Sequence, residues 1–309
     1  MRVLITGANG HLGRRLIARL APDVQITATV RSAAARRMLE GTAAPIKIVE
    51  LDYHDANALA EAAADCDCAV HLVGILKETA KNRYVDAHER ATDALVVAAA
   101  ATRLQRVVYL SILGSDPRSR NAALASKGRA EQALLNGHAQ AVILRVPMVL
   151  GEDDYAAHAL SRKARAGTVF LLRGASLEQP IYAGDVVDAI VAALKLPGLE
   201  RVTIDLAGPE SLSRAALVRR AAACIGRRVH CVSLPLAPLL GVAWIAQRTM
   251  QNPPITAAML GVLDHDDCID PAPAAAKLGI RLTSLDDMLR RCVRGDANHA
   301  AHTRRGSSA

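Results

Sequence analysis

The chain has almost no aromatic residues. One Phe, one Trp and five Tyr make up 2% of its 309 residues. Aliphatic side chains must therefore fill the core. A surface that stacks nucleic-acid bases is excluded, because such surfaces are built on aromatic platforms. The six cysteines form no CxxC pair. Cys66 and Cys68 make a CxC, a poor zinc spacing, so no metal site is expected and small buried thiols in a reducing compartment are. Long runs of one charge are also missing. The net charge is +8, but the basic residues come as scattered pairs such as Arg14-Arg15, Arg219-Arg220 and Arg290-Arg291. No nucleic-acid motif accompanies them. No apolar run is long enough to span a bilayer. The longest, Val232 to Ile245, is broken by Pro235 and Pro238 and suits a cap over a pocket or a contact with a membrane or partner. Met1-Arg2 leads straight into a strand, so no secretory leader is expected and the location is read as cytoplasmic.

What is present is a strand–helix alternation. Val3-Leu4-Ile5 reads as a buried parallel strand, and Gln25 to Val30, Ile46 to Leu51, Cys68 to Val73, Val107 to Leu110 and Val142 to Val146 read as the strands that follow it. Helical periodicity over Leu12 to Leu20, Ala56 to Ala64, Arg83 to Ala101 and Leu124 to Leu135 separates them, with Gly137 closing the last. Such an order implies an α/β, Rossmann-type doubly wound parallel sheet, with ligands at the carboxyl ends of the strands. Beyond Gly151 the pattern loosens into a smaller, partly helical lobe. Asp185 to Leu196 reads as a helix, and Val202 to Leu206 as a strand returning to the sheet. The expected division is 1–150 with 184–207 for the Rossmann domain and 151–183 with 208–294 for the second lobe. The polar stretch 295–309 is read as a disordered tail.

The chemistry starts at Thr6-Gly7-Ala8-Asn9-Gly10-His11-Leu12-Gly13. In such a loop Gly7 turns the chain, Gly10 admits a pyrophosphate and Gly13 lets helix and strand pack closely. The amides from Asn9 to Leu12 face the anion at a positive helix end. The loop follows a buried strand and opens an amphipathic helix, the context a dinucleotide site requires. Arg31 ends the second strand, where NAD-specific sites carry an acid. An arginine there suits the 2′-phosphate of NADP, so NADPH is the expected cofactor, with NAD(H) the alternative. Asp52 stands either as an acceptor for the adenine amine or as an Asx turn before a helix. His71, inside a strand, reads as a core histidine. Tyr84 and Tyr155 read as structural tyrosines that lie in reach of a cleft. Arg162, Lys163 and Arg165 read equally as an anion contact and as a solvated helix face.

At this point the chain resembles the atypical and extended short-chain dehydrogenase/reductases, the NAD-dependent epimerase/dehydratase-like branch. Besides the glycine loop, Val70 to Leu76, Val108-Tyr109-Leu110-Ser111, Ser126 to Glu131, Leu144 to Gly151, and Gln179 to Tyr182 with Asp185-Val186 carry the likeness. Within the superfamily it looks closest to the group of the nucleotide-binding accessory subunit of respiratory complex I. The resemblance implies that Leu72, Val73, Gly74, Val146 and Pro147 line the cofactor cleft. It also implies that Lys127 grips the nicotinamide ribose and Ser111 binds a substrate oxygen. It departs from the family at one place. Counting back four residues from Lys127 in the family's Tyr-x-x-x-Lys gives Ala123, so the tyrosine acid–base is missing. The first reading is an NADPH-dependent oxidoreductase or epimerase-like enzyme with a degenerate site. The alternative is a non-catalytic NADPH-binding structural, sensing or assembly protein. The expected partners are a nicotinamide dinucleotide and an unidentified small molecule, without nucleic acid, and with a peripheral membrane or respiratory-complex contact left open.

Overall fold

The computed structural model describes residues 1–21, 23–42, 45–80, 82–235, 261 and 266–293. The chain divides into two compact units.

The first unit, Met1–Arg145 with Val187–Asp205 among its described parts, is built on seven strands. They are β1 (Arg2–Thr6), β2 (Gln25–Val30), β3 (Ile46–Glu50), β4 (Cys68–His71), β5 (Arg106–Ile112), β6 (Gln140–Val146) and, later in the chain, β11 (Val202–Asp205). Their order is β11-β6-β5-β4-β1-β2-β3, and the pairings of β1 with β2 and β4, β2 with β3, β4 with β5 and β6 with β11 are parallel. The order reverses at β1 and β4, so the ligand crevice of such a sheet lies where Thr6 and His71 end their strands. Between the strands run α1 (His11–Leu20), α2 (Ala33–Arg37), α3 (Ala56–Ala63), a π-helix (Val85–Arg90) continuing as α4 (Ala91–Ala100), and α5 (Ala122–Asn136). The helix expected over Arg83 to Ala101 thus starts with a π turn, a feature frequent at functional sites. Leu4, Leu59, Leu95, Tyr109 and Ile143 belong to one buried cluster under α3, α4 and α5. Aliphatic packing carries this core, as the shortage of aromatics requires.

Helix starts follow capping chemistry. Asp55 accepts from the Asn57 and Ala58 amides to begin α3, and Asn121 accepts from those of Ala123 and Leu124 to begin α5. At α1 the cap is Gly10, which has no side chain to bond the amides, and no acid lies in the first turn. That helix end is left for an external anion.

The second unit spans Val146–Val186 and the described parts of the ranges Leu206–Val242 and Leu263–Ala309. It contains β7 (Val149–Leu150), α6 (Tyr155–Arg165), β8 (Thr168–Leu172), β9 (Leu177–Glu178), β10 (Ile181–Tyr182), β12 (Leu212–Ser213), α8 (Arg214–Cys224), β13 (His230–Leu234) and α9 (Ala272–Leu278), with a last helix over 285–293. The helix α7 (Ala183–Lys195) joins the two units in sequence. The strands pair two by two, β7 with β10, β8 with β13 and β9 with β12. The apolar stretch read from Val232 to Ile245 therefore begins as strand, with Val232 beside Phe170. Its residues 236–245, like the tail 295–309, lie outside the described residues. The motif from Gln179 to Asp185 holds this unit together. The Gln179 amide bonds the Gly208 and Ile269 carbonyls, and Asp185 accepts from the amide and hydroxyl of Thr283.

Candidate dinucleotide site

The glycine loop has the geometry its sequence implies. Gly7 sits at φ 70°, a left-handed conformation that disfavours side chains. A Cβ there would come within 3.0 Å of the Leu72 backbone. At Gly13 an added Cβ would lie 2.5 Å from the Ala8 carbonyl oxygen, so only glycine lets α1 seat on the loop. Gly10 differs: its nearest neighbour would be the Gly7 oxygen at 3.3 Å, so the side that glycine leaves open faces little protein. The Gly10 amide bonds the Gly7 carbonyl, and the Ala8 amide bonds that of Thr29. Among the described residues no acceptor takes the amides of Asn9, His11 or Leu12. An uncapped helix end, unbonded amides and an open glycine form a cradle that fits a pyrophosphate.

Leu72, Val73 and Gly74 follow β4, with the Leu72 carbonyl and the Val73 nitrogen against Gly7. Arg31 is exposed and lines an open cleft of about 720 Å³ together with Ser32, Glu50, Leu51 and Asp52. One guanidinium nitrogen lies 3.4 Å from the Asn82 oxygen. Of the two readings of Asp52, the turn is present: its carboxylate accepts from the His54 amide at 3.0 Å. Val146 and Pro147 fall at the start of the second unit. Tyr155 begins α6 in that unit and is exposed. Arg162, Lys163 and Arg165 lie in the last turn of α6, where Arg165 bonds the Val293 carbonyl.

Around Lys127 the structure gathers more than the sequence suggested. Its ammonium end is buried, donates to the Leu110 carbonyl at 3.0 Å and lies 4.4 Å above the Tyr109 ring. Burial lowers its pKa to about 7, against the opposing pull of Glu131 one turn on. Glu131 in turn is held by Arg145. A Cβ on Gly74 would stand 3.3 Å from the Lys127 nitrogen and 3.5 Å from His88 Nε2.

His88, delivered by the π-helix, was not legible as a site residue. Its Nε2 accepts from the Ile75 amide at 3.1 Å, so Nδ1 carries the proton and donates to Ser126 Oγ at 2.7 Å. The Ser126 hydroxyl passes on to the Ala123 carbonyl. His71 is fixed in the other tautomer: Thr6 donates to its Nδ1, and its Nε2 donates to the Thr92 hydroxyl, which bonds the His88 carbonyl. Burial, with Lys127 nearby, lowers both imidazoles to about 3, so both are neutral and fully bonded. The core-histidine reading of His71 fits this environment. Ser111, placed at the end of β5, is buried and donates to Ser115, whose hydroxyl goes to the Ile112 carbonyl. Tyr84 bonds the Leu76 carbonyl. Ala123 is buried, and no phenol or other titrating hydroxyl takes its place on α5.

A family model described as NAD(P)H-binding matches residues 7–197. The chain belongs to this NAD(P)H-binding family. The likeness to atypical and extended short-chain dehydrogenase/reductases holds for this NAD(P)H-binding protein in fold as well. It superposes on a UDP-glucuronic acid 4-epimerase from Bacillus cereus, solved with UDP-glucuronic acid and NAD, at a TM-score of 0.73 and 19% identity, over 96% of this chain and 98% of that one. Among curated relatives it is 24% identical to the mitochondrial NADH-ubiquinone oxidoreductase 40 kDa subunit of Neurospora crassa, over 89% of this chain and 74% of the relative. It is 30% identical to the NADH dehydrogenase [ubiquinone] 1 alpha subcomplex subunit 9 of Arabidopsis thaliana, over 67% and 53%. It is also 26% identical to a ceramide reductase of Caulobacter vibrioides, over 75% and 73%. The chain thus spans between about half and three quarters of the length of these relatives. The partner expectation drawn from the sequence is corrected here. It set a small molecule beside the dinucleotide and left respiratory-complex contact merely open, whereas relatives matched over most of this chain are named as subunits of NADH dehydrogenase. Among the described residues no helix is long and apolar enough to cross a membrane.

Proposed function

We propose that this protein holds a nicotinamide dinucleotide, NADPH in preference to NADH, as a bound component of an NADH dehydrogenase-type assembly, without turning over alcohols or carbonyls. The free amides of Asn9, His11 and Leu12 would hold the pyrophosphate, Arg31 the ribose phosphate, and Leu72 to Gly74 with Lys127 the nicotinamide half. A bound reduced dinucleotide would be a source of hydride. The single observation that carries the reading is that, among the described residues, no acid stands one helical turn before Lys127 on α5, and the phenol that does lie beside Lys127, Tyr109, is fully buried in the core with its pKa raised. Ala123 has no side-chain acid, its carbonyl is taken by Ser126, and the two neighbouring imidazoles are neutral with both nitrogens bonded. Carbonyl reduction needs a positioned acid, worth about 10²–10⁴-fold in rate. The names of the mitochondrial relatives support the assembly role. The six cysteines are free thiols, which supports a reducing, cytoplasmic setting.

A second reading, an NADPH-dependent oxidoreductase whose acceptor draws its proton from water, is favoured by the retained lysine and by the reductase among the relatives. The absorbance of the purified protein in the reduced-nicotinamide band separates them. Cofactor that co-purifies and persists when ketones, aldehydes and quinones are added supports the bound-component reading. Rapid bleaching by one of these acceptors, with turnover, overturns it.

A further inference from the structure

Tyr53 lies outside the glycine motif, yet its phenol ties the loop to the sheet alongside the Ala8–Thr29 bond. The residue is buried. Its oxygen accepts from the Gly7 amide at 2.7 Å, and its hydroxyl donates to the Thr29 carbonyl at 2.7 Å. Burial raises the phenol pKa, so it is the neutral O–H that makes both bonds at neutral pH. The Thr29 carbonyl also accepts from Ala8 at 3.3 Å. Loss of the phenol therefore leaves Thr29 with a partner and Gly7 with none.

We infer that Tyr53 is a positioning residue for the phosphate loop: by bonding Gly7 it fixes the turn from which the amides of Asn9, His11 and Leu12 reach the pyrophosphate. This deepens the dinucleotide reading and rests on it. Gly7 is the one loop residue held left-handed, so the peptide before it sets the direction of every amide that follows. With its amide on Tyr53, Gly7 does not bond the ligand itself. A loop already in its bound geometry spares the ligand the ordering cost. Without the anchor, the Gly7 amide seeks another acceptor, and the pyrophosphate is one that pulls the loop out of register. The adenosine and 2′-phosphate end, which would lie by Arg31, is not affected.

The test compares NADPH with 2′-AMP, which carries the adenosine and the 2′-phosphate but no pyrophosphate, in wild type and Tyr53→Phe by calorimetric titration. NADPH binding should weaken roughly tenfold, the loss expected of one buried hydrogen bond left without its partner, and 2′-AMP binding should stay unchanged. Unaltered NADPH affinity overturns the inference. An equal loss for both ligands also overturns it, since that marks a merely structural tyrosine. If wild type binds neither ligand, the dinucleotide reading itself falls. Should Tyr53→Phe fail to fold, amide exchange on the nucleotide-free wild type decides: Gly7 should exchange slowly, like the interior of β1, and fast exchange at Gly7 overturns the anchor.

Discussion

At the scale of single residues, the loop glycines are required for different reasons. Gly7 and Gly13 are demanded by the protein itself, one by its φ and the Leu72 backbone, the other by the Ala8 carbonyl. Gly10 has no such close backbone neighbour beyond the Gly7 oxygen at 3.3 Å, and the proposed pyrophosphate supplies the reason for a glycine there. Gly10→Val should therefore leave a folded protein with an unchanged circular dichroism spectrum and no measurable NADPH binding, because the branched side chain fills the pyrophosphate's place. Equal NADPH affinity in mutant and wild type would show that the anion lies elsewhere. Arg31 makes a separable contribution. A charge-assisted bond to the 2′-phosphate is worth about 1.5–3 kcal/mol, tenfold or more in affinity. Arg31→Ala should erase most of a preference for NADPH over NADH, read by parallel titrations. A wild type that binds both dinucleotides alike contradicts the assignment, and the carboxylate of Glu50 in the same cleft would then be the physical reason.

At the scale of elements, α5 and the π-helix behave as one body. Arg129 holds the Glu89 carboxylate through two nitrogens at 2.6 and 2.8 Å, and His88 reaches Ser126 from the other side. Gly128 lets α5 sit on the turn at Asp116 and Pro117, where a Cβ would come within 2.3 Å of the Pro117 nitrogen. This packing buries Lys127 and sets a pH dependence. Its folded pKa of about 7 lies below the 10.5 of an unperturbed lysine. Between those values the unfolded chain binds the extra proton, so the lysine's effect on stability improves as pH rises from about 7 toward 10.5, and its full penalty applies below about 7. Lys127→Met, which keeps the volume and drops the charge, should gain stability over wild type most at pH 7 and below. That advantage should shrink steadily toward pH 10, as urea denaturation at each pH would show. Parallel profiles for the two proteins would mean that Lys127 is not buried as an amine.

At the scale of the whole molecule, the proposed choice between holding a cofactor and using it rests on one missing side chain. Wild type should be nearly inert toward alcohols and carbonyls while binding NADPH, and Lys127→Ala should weaken that binding. Ala123→Tyr places a phenol one helical turn before Lys127, where a cation favours the phenolate and lowers its pKa. A gain of carbonyl reduction in steady-state assays, up to about 10²-fold as the lower range of positioned acid–base catalysis, is the expected result. Strong carbonyl turnover by wild type that Lys127→Ala leaves intact would place the chemistry on another element.

The sequence by itself determined the parallel sheet and the loop. Continuous Val/Ile/Leu runs bury both faces of a strand wherever helices alternate with them, and a Gly7-x-x-Gly10-x-x-Gly13 spacing encodes its backbone conformation locally. It also exposed the loss at Ala123, because an i, i+4 spacing on a helix is read by counting. What only the tertiary structure decided are the contacts made across long sequence gaps. Tyr53 meets Gly7 across 46 residues, and His88 meets Ser126 across 38. Neither pairing has a local pattern, since a buried Tyr or His looks the same in sequence whether it fills space or carries a bond. The π turn at Val85–Arg90 was equally hidden, because its residues fit an α-helical period and differ only in where the packed helix aims His88. Two of the strand pairs of the second unit stayed unread for a related reason: two-residue strands such as Val149–Leu150 and Ile181–Tyr182 are too short to show alternation, and only their partners make them strands.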